Sequence, residues 1–141
     1  MIEPVPTDSA AVSAETLEQL LEQARKVGTQ AYAPYSNYQV GAALLSRSGR
    51  VYVGCNVENA TYGATICAER SAVVQMVAAG DREIVAVAVA TPKDPLGLPC
   101  GICRQVLVEF AGPDCVVLAS TPGARHTTTL GALLPEPFTL R

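Results

Sequence analysis

Cysteine opens two segments of this chain in the same way: "CAERSAVVQMVAA" from Cys67 and "CGICRQVLVEF" from Cys100. Each follows a loop, and each begins a stretch with helical apolar spacing. A helix start carries partial positive charge and free N–H groups, and both favour a thiolate placed there. Two such starts set side by side make a three-thiolate corner from Cys67, Cys100 and Cys103. The pair at Cys100 and Cys103 alone is compatible with redox chemistry, half a structural zinc site or half a catalytic one. Zinc takes four ligands, and the other sulfur and nitrogen donors in the chain are Cys55, Cys67, Cys115 and the one histidine, His126. Three protein ligands leave a position open, the mark of a catalytic metal, whereas a fourth from Cys55, Cys115 or His126 makes a structural one.

The residue types around the corner add to this. At the first turn of a helix, Cys67 and Glu69 can converge on a point near the axis, so the carboxylate sits beside the metal without binding it. There it can move protons to and from an attacking water. Three thiolates overbalance Zn²⁺ by one negative charge, and Arg70 or Arg104 can offset it by donating hydrogen bonds to cysteine sulfur. Gln105 is a further candidate to back the ligands. Buried strand positions are the expectation for Cys55 and Cys115, and a polar surface loop for His126.

Apolar residues at Leu17, Leu20, Leu21, Ala24, Val27 and Ala31 predict a first helix over 14–31, with Ser13 as N-cap. Strands are expected at 38–46 and 50–57, with Gly41 and Gly54 marking bulges or close backbone approach. A helix from Cys67 to Ala79 stops at Gly80. A buried strand at 83–90, a helix at 100–110, a strand at 115–120 and a tail with one short helix follow. Alternation of this kind predicts a mixed sheet covered by helices. The second helix is apolar around most of its circumference, which hints at a subunit interface.

Several partners are excluded. Net charge is −3 and no Lys/Arg cluster exists, so a nucleic-acid partner is not expected. No apolar run is long enough to cross a bilayer, and the N-terminus lacks a basic and an apolar secretory region. The reading is a cytoplasmic protein, and its odd number of cysteines favours metal or catalysis over disulfides.

"CAE" and "PCGIC" fit the three-cysteine form of the zinc-deaminase signature. Together with "AYAPYSNYQVGAALL", "GCNVENATYG", "CAERSA", "PCGICRQVLVEF" and "LLPEPF", they resemble the small homotetrameric cytidine deaminases over residues 31–138. The resemblance implies a single three-layer α/β domain with a mixed central sheet of about five strands flanked by helices. The acidic, proline-bearing N-terminus is expected to be a frayed segment at 1–12, ahead of a catalytic domain at 13–141. The resemblance implies one zinc per subunit on Cys67, Cys100 and Cys103, with Glu69 as proton shuttle and Arg70 offsetting thiolate charge. Asn56 and Glu58 match residues that hold the ribose; Tyr38 matches a pocket aromatic that is usually Phe. Ala60, Tyr62 and Phe138 match positions that contribute across subunits, so active sites would be shared in a homotetramer. The implied reaction is hydrolytic deamination of cytidine and 2′-deoxycytidine for pyrimidine salvage. The alternative is another aminopyrimidine nucleoside such as blasticidin S, against which "NVEN" argues.

Overall fold

In the computed structural model, which describes residues 12–140, the first helix starts where its cap predicts. Ser13 accepts a hydrogen bond from the Thr16 backbone N–H at 3.1 Å, and α1 runs Ala14–Gly28, three residues short of the apolar pattern. Of the expected N-terminal segment at 1–12, residues 1–11 lie outside the described residues. β1 (Gly41–Ser46) and β2 (Val51–Cys55) form a hairpin. α2 (Ala68–Ala78) ends at Gly80, whose φ of 98° suits glycine alone. β3 (Ile84–Ala90), α3 (Gly101–Val108), β4 (Val116–Ser120), β5 (Arg125–Thr129) and α4 (Leu130–Leu133) complete the order.

The five strands make one sheet in the order β2-β1-β3-β4-β5. Within this sheet β3 and β4 pair in parallel, with α3 as the crossover between them, and the other strand pairs are antiparallel. The mixed five-stranded sheet between helices is the expected architecture, but its fifth strand occupies a stretch that the polar pattern reads as loop. Residues 125–129, "RHTTT", are exposed or half-buried throughout, so no apolar alternation marks them. Threonine's β-branching and the ladder to β4 hold them extended instead. His126 sits on this edge strand, exposed as expected.

Successive strand residues face opposite sides, and the two faces differ in size. Toward α1 point Ala43, Ala86, Ala88 and Ala90, packed with Leu20, Leu21 and Ala24. Toward α2 and α3 point Leu44, Val87, Val89 and Val117, packed with Val73, Met76 and Leu107. Each large side chain buried there contributes roughly 1.5–3 kcal/mol. Small residues let helices close on the sheet, and Gly41 and Gly54 extend this to backbone contact. A methyl at Gly41 would overlap the Ala24 carbonyl of α1; one at Gly54 would overlap Ala72 N and Ala68 O of α2. The close-approach expectation for both glycines is met. Gly54 thereby sets how near α2 lies to β2, and with it the height of the residues at the start of α2. Gly54→Ala is expected to cost about 1–3 kcal/mol of stability through overpacking. Urea unfolding should show a lower midpoint with little change in slope.

Candidate metal centre and pocket

α2 and α3 lie on the same face of the sheet, and each begins with cysteine at its N-cap: Cys67 for α2 and Cys100 for α3. Neither cap makes a side-chain hydrogen bond to its own helix, so both sulfurs are free to turn toward each other. Their Sγ atoms are 3.9 Å apart. Cys103, one turn into α3 and fully buried, completes a triangle in which all ligand atoms lie within 4.8 Å of one another. Among the described residues this is the group of histidine, cysteine and carboxylate side chains placed to hold a metal ion. Cys55, Cys115 and His126 stand outside it. Cys115 is packed in the core, where burial pushes its thiol up to about 12.

The electrostatics of the corner fit a cation. Arg70 Nη2 donates to Cys67 Sγ at 3.3 Å. Hydrogen bonding from Cys103, with Arg70 and Cys100 adding to it, lowers the Cys67 thiol to about 5 against the cost of burial. The hydrogen bond with Cys67 raises Cys103, and burial raises it further. Two thiolates this close repel, which is why one of the pair is lowered and the other raised. Among the described residues the buried Arg70 Nε–H has no hydrogen-bond partner, an arrangement tolerable beside anionic sulfur and costly beside neutral thiols. A soft, three-thiolate donor set that needs positive charge to ionise fully is a fit for zinc.

Glu69 is 5% exposed, and burial, the largest influence, raises its carboxyl to about 7. It lines a cavity of about 270 Å³ together with Cys67, Cys100, Tyr38 and Asn56. The remaining wall comes from Val40, Val89, Thr91 and Leu98, among others. A second cavity of about 350 Å³, lined by Tyr35, Ser36, Glu58, Asn59, Tyr62 and Thr65, shares Ser36 and Thr65 with the first. Together they are in the size range of small-molecule sites.

The other sequence candidates fall in distinct places. Asn56 lines the first cavity and braces its aromatic wall: its Oδ1 accepts from Val40 N, and its Nδ2 donates to the Tyr38 carbonyl, both at 2.8 Å. Glu58 accepts from Tyr35 N at 2.9 Å, Ser36 N at 3.1 Å and the Ser36 hydroxyl, and the Ser36 bonds are the main reason its carboxyl stays below the usual range. Tyr62 is 76% exposed and meets the Tyr35 ring edge-on, with centroids 6.0 Å apart; Ala60 is exposed beside it. Phe138 is 70% exposed and lines neither cavity. Arg104 donates to the carbonyls of Pro99 and Leu133, and Gln105 to that of Phe138, so both bond backbone oxygen and not cysteine sulfur. Ser36 and Thr65, which border both cavities, escape the sequence reading. Ser36 lies in "APYSNY", where Pro34 marks a turn but gives no sign of which side chain faces the site.

Comparisons with known proteins agree with this geometry. Residues 14–119 match the family model for the cytidine and deoxycytidylate deaminase zinc-binding region. A cytidine deaminase of Sporosarcina psychrophila is 44% identical over 86% of this chain and 90% of its own length. A probable cytidine deaminase of Dictyostelium discoideum is 40% identical over 88% and 84%. The crystal structure of cytidine deaminase from Burkholderia pseudomallei superposes with a TM-score of 0.82 at 44% identity, covering 86% of this chain and 98% of that one. That from Mycobacterium tuberculosis superposes with a TM-score of 0.77 at 40% identity, covering 87% and 97%.

Thiol mapping checks the centre itself. Iodoacetamide is expected to alkylate Cys67 and Cys100 in chelator-treated protein and to spare them once zinc is restored, with the buried Cys115 spared in both. Equal labelling of Cys67 and Cys100 with and without zinc would rule the corner out as the metal site.

Proposed function

The chain belongs to the cytidine and deoxycytidylate deaminase family, and from that premise we propose that it hydrolyses cytidine and 2′-deoxycytidine at C4, giving the uridine nucleosides and ammonia. The observation that carries the reading is a buried carboxyl, Glu69, in one cavity with Cys67 and Cys100 and held near neutrality by that burial. Cys67, Cys100 and Cys103 would hold the zinc. Bound there, zinc supplies Lewis acidity that makes water nucleophilic at neutral pH.

Glu69 does the proton work. A carboxyl balanced near pH 7 gives up and takes back a proton with little driving force lost either way. It accepts a proton from the attacking water and delivers it to ring N3. As the new C4–O bond forms, N3 draws electron density away from C4. A second water proton, passed through the same carboxylate, goes to the 4-amino nitrogen. The C4–N bond then breaks, and ammonia departs. Arg70 keeps the sulfur beside Glu69 anionic by its hydrogen bond to Cys67, so proton movement is confined to the carboxylate.

The cavities suit a nucleoside in two parts. Tyr38, Val40 and Val89 give the first an aromatic and aliphatic wall for a pyrimidine ring. Glu58 and Asn59 give the second a polar wall for the ribose. Its lining includes a carboxylate and no lysine or arginine, which favours a free nucleoside over a 5′-phosphate. Remote sugar contacts then hold the ring where it reacts. The relatives named above are cytidine deaminases, which favours cytidine over a nucleoside such as blasticidin S.

The assembly reading is a homotetramer with shared sites. Val74 on α2, Ile102 on α3, Tyr62 and Phe138 are large apolar side chains exposed on the single chain, as a subunit interface requires. Ala60, Tyr62 and Phe138 would then reach a neighbour's pocket. The catalytic unit is residues 13–141, and the setting is the cytoplasm. Among the described residues no helix is long and apolar enough to cross a membrane.

Glu69→Gln is expected to keep its zinc and lose turnover by roughly 10²–10⁴-fold, the range for a positioned acid–base group. Loss of the cytidine ultraviolet band measures turnover, and atomic absorption measures zinc. A zinc-loaded variant within tenfold of wild type would overturn the role given to Glu69.

A further inference from the structure

The two cysteine caps are delivered by lead-in segments that are held very differently. Ahead of Cys67, Ile66 is locked to Val57 by a pair of backbone hydrogen bonds, each 3.0 Å, in an antiparallel bridge. Ahead of Cys100, the loop at 92–99 has no such bridge among the described residues. Among the described residues its backbone is held at the Cys100 end by one side chain. Arg104 Nε donates to the Pro99 carbonyl at 2.7 Å.

Pro99 is fully buried, so its carbonyl has no ready access to solvent. A buried carbonyl left without a donor is costly, and the chain relieves that cost by moving. The residue that would move with it is Cys100. The guanidinium is itself anchored, because Arg104 Nη1 donates to the Leu133 carbonyl at 2.9 Å. Leu133 ends α4, where carbonyls lack helical donors and attract cations. α4 in turn is pinned to the body of the protein by Leu130, buried in the core, and by backbone bonds from Leu130 N to Cys115 O and Gly131 N to Pro113 O. One planar group therefore spans from a fixed short helix to the peptide just before a metal ligand.

We propose that Arg104 is a positioning residue of the metal centre: by bridging the Pro99 and Leu133 carbonyls it fixes the peptide that presents Cys100, and retention of the metal depends on it. The proposal rests on the zinc assignment to Cys67, Cys100 and Cys103. Arg104 acts through backbone oxygen, so it differs from Arg70, which meets Cys67 sulfur directly. Its two bonds also require a fork. A lysine ammonium is a point donor on a flexible stem and does not reproduce the pair of fixed directions.

The test uses zinc-loaded wild type, Arg104→Gln and Arg104→Lys. Release of zinc to a colorimetric chelator is timed, and melting temperature is measured with and without zinc. Arg104→Gln is expected to release zinc roughly 10–100-fold faster, the range seen when groups behind a metal ligand are removed. The increment in melting temperature that zinc gives should shrink as well. Arg104→Lys should fall between Arg104→Gln and wild type, and it carries the test if Arg104→Gln does not fold. Release within twofold of wild type from the folded variants would overturn the proposal. So would an unchanged zinc increment over a uniformly lowered melting temperature, which is what a purely structural role produces. Wild type that binds no zinc would instead defeat the metal assignment, and the two failures are distinguishable.

Discussion

Negative charge gathered at the abutting starts of α2 and α3 is the constraint to which the rest of the site answers. Cys67 and Cys100 are N-caps with no bond to their own helices, and Cys103 lies behind them in the interior. Helix N-termini supply partial positive charge from two directions, and Arg70 supplies a full charge from a third. Even so, Cys67 and Cys103 are driven apart, Cys67 lowered and Cys103 raised. A divalent cation resolves that conflict. The same crowding explains Glu69, which is kept partly protonated by burial, with the Cys67 charge adding to the effect. The corner thus selects both its metal and the protonation behaviour of its neighbour.

The sheet makes the corner possible by being asymmetric. Alanines facing α1 and a glycine at position 41 bring that helix down to backbone contact. Leucine and valines on the other face carry α2 and α3, with Gly54 letting α2 close at one point. The parallel β3–β4 pair requires a crossover, and α3 is that crossover, so its start lies beyond the end of β3. Val89 and Thr91, at that strand end, form part of the cavity wall. Position of the site outside the carboxyl end of a parallel strand follows the general behaviour of α/β sheets.

The metal corner is legible in the sequence because each of its parts is a local signal. A cysteine at a helix start, a second one turn later and a carboxylate two residues on can all be read without knowing the tertiary contacts. Gly41 and Gly54 are legible for the same reason, as interruptions in apolar strands. The fifth strand is not, because "RHTTT" gains its ladder from β4 and buries no side chain that would print a period of two. Side-chain direction is also out of reach. Arg104 and Gln105 follow Cys103 in sequence, yet both turn to backbone carbonyls, Arg104 to those of Pro99 and Leu133 and Gln105 to that of Phe138. Asn56 and Glu58 read as polar residues after a strand; their bonds to Tyr38, Val40, Tyr35 and Ser36 depend on where "APYSNY" folds back. Their position beside a pocket comes from the resemblance, and its geometry from the fold.

An open zinc site made of three thiolates has a distinct spectroscopic signature. X-ray absorption at the zinc edge of the purified protein tests it most directly. Three sulfur neighbours at about 2.3 Å and one light neighbour at about 2.0 Å, with no imidazole scattering, are expected. Four sulfur neighbours, or a histidine nitrogen in the fourth place, would make the site closed and structural and would contradict this expectation.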